Sequence, residues 1–186
     1  MLLEMRDATF RRGGEEFVAP QNLELDEGGR LAHAFGSTRA AAIVAMMAAG
    51  LVRASNGAVF VGAFDPRIQP VQVKRLAGYV PHDALPNEFS SFEQYIEYRA
   101  SLWQLPHDES VVRARHILAG LDGVHESFAY PLAGALIAQP RLLVLDRPQA
   151  AYGPQIVDVA KSCAIFSTHG SENEAERFRN ACAAPV

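Results

Sequence analysis

Arg141-Leu-Leu-Val-Leu-Asp-Arg-Pro148 is an unbroken aliphatic run closed by a carboxylate at Asp146 and framed by Pro140 and Pro148. Apolar residues without polar alternation predict a strand buried on both faces, of the kind found in parallel sheets under helices. An acid at the C-terminal end of such a strand stands where α/β folds bind their ligands. A lone acid there serves equally well as a cap for the following turn.

Working outward from this strand, the chain of 186 residues is 49% hydrophobic, enough for one good core and one domain. A net charge of -4 carries no basic footprint for nucleic acid or an anionic membrane. Two cysteines, Cys163 and Cys182, give neither a disulfide framework nor metal-ligand spacing, as expected for a reducing compartment. His33, His107, His116 and His125 are scattered without a ligand repeat, so no metal is expected. Met1-Leu-Leu-Glu-Met-Arg-Asp7 brings charges at once and predicts no cleavable leader. The longest apolar stretch, Ala40 to Val52, is too short to span a bilayer.

Toward the N-terminus, Met1 to Leu25 reads as short strands broken by a glycine-pair turn at Arg11-Arg-Gly-Gly-Glu-Glu16. Arg30 to Phe35 predicts a strand, and Gly36-Ser-Thr-Arg39 leads into an uncharged helix that ends at Gly50, with Ser37 or Thr38 as its cap. Strand, glycine turn and helix together form the architecture of a phosphate-binding loop. Ser55 to Gly62 predicts a strand, Pro70 to Ala77 a short helix, and Gly78 to Asp83 a strand with its loop. Ser90-x-x-Glu93 predicts a capping box for a helix carrying Phe92, Tyr95, Arg99 and Trp103 at helical spacing. Such a stripe suits either a core or a partner surface. Asp108 is placed to cap a second helix, and Ser171 to Cys182 predicts a last, charged one.

Taken in order, these segments resemble an ABC-transporter ATPase subunit over Leu3 to His169. Asn22-Leu-Glu-Leu-Asp-Glu-Gly28, Ala49-Gly50-Leu51, Gly78-Tyr-Val-Pro-His82, Leu142-Leu-Val-Leu-Asp-Arg-Pro148 and Ser167-Thr-His169 carry the resemblance. It implies an α/β fold of the P-loop NTPase class, with a mixed central sheet, flanking helices and a shortened helical subdomain. The expected division is a core of residues 1–82 and 132–186, with the helical subdomain at about 83–131. In the resembled family the strand-end Asp holds Mg²⁺ through water, the next Glu polarises the attacking water, and the late His contacts the γ-phosphate. Asp146 and His169 match those columns, whereas Arg147 stands in the Glu column and Gly153 in the Asp column of SGLDP. The lysine and hydroxyl columns of the phosphate loop fall on Ala41 and Ala42, the γ-phosphate-sensing Gln column on His82, and the adenine-stacking column on Arg12. The LSGGQ signature lies in a stretch that this chain lacks between Gly123 and Leu132.

From this resemblance the chain is expected to be a catalytically inactive, structural or regulatory subunit that uses no cofactor and neither binds nor hydrolyses ATP. Its expected partners are an active ABC ATPase subunit or transmembrane transporter subunits, met through Phe92, Tyr95, Arg99 and Trp103. The expected location is cytoplasmic and peripheral on the inner membrane face, reached only through those partners. Phe35 and the alanines opening the helix are expected to close the nucleotide cleft. Two alternatives stay open: a soluble scaffold unrelated to transport, and an ATPase with unconventional ligands such as Arg39, Asp146, Arg147 and His169.

Overall fold

A computed structural model describes residues 1–82, 89 and 91–183 of the chain. β1 (Leu3–Arg12) and β2 (Glu15–Leu25) form an antiparallel hairpin whose turn is the Gly13-Gly14 pair, both at positive φ. β4 (Asn56–Val61) joins the other edge of β1, giving the order β2-β1-β4. A second sheet is parallel, ordered β3-β7-β6-β5, from β3 (Arg30–Ala34), β5 (Ala77–Val80), β6 (Leu142–Asp146) and β7 (Ala164–His169). Gly57 is required where β4 meets β1, because φ is +74° and a Cβ there would lie 2.2 Å from the Asp7 carbonyl oxygen.

β6 is buried along its whole length, as its aliphatic run predicts. Alternation across the strand divides that run between two cores. Leu142 and Val144, with Ala164 and Phe166 of β7, pack toward the antiparallel sheet and α1 (Thr38–Ala48). Leu143 and Leu145, with Ile165, pack the other way, onto α3 (Phe92–Leu102), α4 (His107–Ala119) and α5 (Glu126–Leu136). The parallel sheet is therefore the middle of three layers. α2 (Pro70–Leu76) leads into β5, while α6 (Gly153–Val159) and α7 (Glu172–Ala183) close the C-terminal side against each other.

Three local expectations shift. The cap of α3 is Ser91, whose Oγ accepts the Gln94 N–H at 3.2 Å, while Ser90 and Asp83 lie outside the described residues. α4 begins at His107 after Pro106, so Asp108 stands inside its first turn, where it favours the positive end of the helix dipole. α5 runs through the expected boundary between residues 131 and 132, with Pro131 inside it.

Candidate functional site

Parallel register brings the carboxyl ends of the sheet together: Ala34 pairs with His169, Asp146 with Thr168, and Val80 with Leu145. His82, two residues beyond β5, thus reaches the same edge as Asp146, Arg147 and His169. At the end of β3 the chain turns through Gly36, at φ +73°, and Ser37 caps α1 by accepting the Ala40 N–H on its Oγ at 3.1 Å. α1 then packs on β6 and β7 with its first residues above this edge.

Between these elements lies a cleft of about 350 Å³, lined among others by Thr38, His82, Arg147, Gln149, His169 and Arg177. It is an open feature, which corrects the expectation of a closed cleft. Phe35 is drawn instead into the layer between sheet and helix, edge-on to Phe166 at 6.5 Å and against His33 at 4.9 Å.

Asp146 is 4% exposed and forms an ion pair with its neighbour. Arg147 donates from Nε to Asp146 Oδ1 at 2.8 Å and from Nη2 to Oδ2 at 3.4 Å. Backbone geometry directs this fold-back. Arg147 has φ +47°, its N–H donates to the Thr168 carbonyl at 3.0 Å, and its carbonyl accepts the His82 Nδ1–H at 3.0 Å. A magnesium ion beside Asp146, as in the resembled family, does not fit this arrangement, because the guanidinium engages both carboxylate oxygens. His169 is buried, with Nε2 hydrogen-bonded to Ser167 Oγ at 3.1 Å and its ring 5.4 Å from that of Phe178. Burial penalises the imidazolium and holds the His169 pKa down at about 4, so the ring is neutral at physiological pH.

The other expected positions are not gathered here. Ala41 is wholly buried within α1 and Ala42 half-buried; neither lines the cleft. Gly153 starts α6, where an added Cβ would meet Ala181 Cβ at 3.0 Å; its small size serves packing against α7. Arg39 lies over the Phe17 ring at 3.9 Å, a cation–π contact with β2 that keeps it off the cleft lining. Arg12 is exposed at the end of β1, paired with Glu15 across the hairpin.

The proposed partner stripe is also divided. Phe92 and Tyr95 are buried, Phe92 against Tyr130 with ring centroids 4.7 Å apart, so these two face the core and not a partner. Arg99 is half-buried and donates from Nε to the Gly134 carbonyl at 3.4 Å, and Trp103 is half-buried at the end of α3. Tyr98 and Leu102 are the exposed large apolar residues of this helix. Thr38, Gln149 and Arg177 are cleft residues that the sequence reading missed. Arg177 lies in a helix whose charges look uniformly solvated, so no local pattern marks it.

No family-wide sequence profile matches the chain. Two curated relatives are similar to it, both named sulfate/thiosulfate import ATP-binding protein CysA and both from Xylella fastidiosa. The protein of strain Temecula1 is 26% identical over 200 residues, covering 92% of this chain and 58% of its own length. That of strain 9a5c is 27% identical over 190 residues, covering 87% and 55%. The chain thus spans a little over half of these relatives. Among solved structures, an ATP-binding subunit of an ABC transporter aligns with TM-score 0.71 and 16% identity over 96% of this chain and 83% of that one. cbiO1 from Clostridium perfringens, part of the complex cbiONQ, aligns with TM-score 0.67 and 18% identity over 90% and 78%. These findings correct the expectation that the chain is not an enzyme, since the relatives it matches along most of its length are named as ATP-binding proteins.

Proposed function

We propose that the chain is an ATP-dependent subunit of an ABC-type transport complex, a reading supported by its similarity to ATP-binding proteins of such transporters. Its partners in this reading are transmembrane subunits and a second ATP-binding subunit. It works at the cytoplasmic face of the membrane and reaches the bilayer through them; no described helix is long and apolar enough to cross a membrane. The observation that carries the reading is the cleft of about 350 Å³ at the carboxyl ends of the parallel strands, where Thr38, His82, Arg147, His169 and Arg177 converge. That edge is where α/β sheets bind ligands, and cationic and imidazole side chains there suit phosphoryl oxygens. The ligands are unconventional, with arginines and histidines meeting the phosphates.

A second reading, a structural or regulatory contribution of the subunit to its complex, is favoured by one observation: Arg147, a residue of the cleft wall, is held in an ion pair with Asp146.

The test is purification of the tagged chain from native membranes. Co-purification of transmembrane subunits and ATP turnover that falls in Arg147→Gln are expected. A chain that purifies without membrane partners, or turnover indifferent to cleft substitutions, would contradict the proposal.

A further inference from the structure

We propose that Arg147 is the anion-binding residue of the cleft and that Asp146 is its built-in competitor, so that a polyphosphate enters by exchanging with a carboxylate and needs no metal. This rests on the reading of the cleft as a phosphate site.

The first support is the supply of charge. The chain has only two lysines, Lys74 and Lys161. Lys161 is paired with Asp158 at 2.6 Å, Lys74 lies in α2, and neither lines the cleft. Among the described residues, the permanent cations on its walls are Arg147 and Arg177. Among the described residues the carboxylate on the rim is Glu174, held by the Gly170 N–H, which donates to Oε2 at 3.0 Å.

The second support is geometry. Arg147 occupies a left-handed backbone conformation that non-glycine residues rarely adopt, pinned by the Thr168 carbonyl on one side and His82 on the other. The backbone is therefore set, and exchange requires movement of the side chain alone. A guanidinium presents its N–H donors in a fork that matches carboxylate and phosphoryl oxygens alike. The fork that now grips Asp146, with the Arg147 side chain 19% exposed and that of Asp146 5% exposed, is the one an incoming phosphoryl group would take. Occupancy is then a competition: the anion gains the arginine, and a buried carboxylate is left without it, which is costly.

This competition has a signed consequence. Neutralising Asp146 should strengthen anion binding, whereas at a carboxylate that holds a metal for the phosphates the same change weakens it. Calorimetric titration of the whole chain with sodium tripolyphosphate in EDTA measures this. Asp146→Asn is expected to bind about tenfold more tightly than the wild type and Arg147→Gln about tenfold more weakly. In the double variant the gain from Asp146→Asn should vanish, and Arg147→Lys should lie between Gln and the wild type. Circular dichroism establishes that each variant is folded. Should one fail to fold, the Arg147 Nε–H resonance of the wild type is expected to move on tripolyphosphate addition, and its staying in place would overturn the proposal.

Weaker or unchanged binding in Asp146→Asn, or a gain that persists without Arg147, would also overturn it. If tripolyphosphate and ATP bind the wild type but Arg147→Gln changes neither, the ion-pair exchange falls and the phosphate cleft stands; if neither ligand binds, both fall. A parallel ATP titration distinguishes a nucleotide, bound more tightly than tripolyphosphate, from an inorganic polyphosphate.

Discussion

His169 is 1% exposed at the end of β7, and its pKa of about 4 makes it a source of acid lability. The folded state binds the proton less readily than the unfolded chain, whose histidine titrates near 6.5. The contribution of His169 to stability is therefore complete above pH 6.5, declines between pH 6.5 and 4, and is gone below that. The wild type is expected to lose on the order of 3 kcal/mol through this residue over that window, while His169→Gln should show a flatter pH dependence. Urea unfolding at pH 7 and pH 4.5 checks this, and parallel slopes for the two proteins would contradict it. Asp146 is legible from the sequence because it ends an apolar strand, and His169 through the family resemblance of Ser167-Thr-His169; the parallel register brings the two strand ends together. That Arg147 turns back on Asp146 was not legible. It depends on a positive φ at a non-glycine residue, and no side-chain pattern announces one.

Among the elements, α3 and α5 show how far helical spacing can be read. The stripe Phe92, Tyr95, Arg99 and Trp103 identified the helix but left open which way it faces. The answer lies in a residue 39 positions further on: a Cβ at Gly134 of α5 would lie 2.5 Å from the Tyr95 hydroxyl and 2.8 Å from its ring. Tyr95 therefore fills the space above a glycine, and the stripe turns inward. Gly134→Ala is expected to destabilise the protein by about 1–3 kcal/mol through overpacking, with partial rescue by Tyr95→Phe, which removes the nearest atom. Chemical denaturation of both single variants and the double variant checks this coupling. The cap of the same helix makes a smaller test. Ser91→Ala should cost about 1 kcal/mol in the same assay, since the Ser91 hydroxyl holds the Gln94 N–H. The Ser90-x-x-Glu93 spacing predicts this cap one residue early, because serine is a competent cap at either position and only the backbone chooses between them.

At the scale of the whole molecule, β6 separates two apolar cores and ends in the cleft, so one strand both holds the layers together and places the site. That much followed from a run of four aliphatic residues and an acid. The openness of the cleft did not, because the direction taken by Phe35 depends on its contacts with Phe166 and His33. The relatives named as ATP-binding proteins match this chain along 87–92% of its length while it spans 55–58% of theirs. A nucleotide site is thus the claim on which the whole reading turns. Its most direct test is calorimetric titration of the chain with millimolar ATP, with and without magnesium. One ATP per chain is expected in both conditions, with binding weakened in Arg147→Gln. Absence of heat in both conditions, with no shift of the thermal unfolding midpoint on ATP addition, would contradict it.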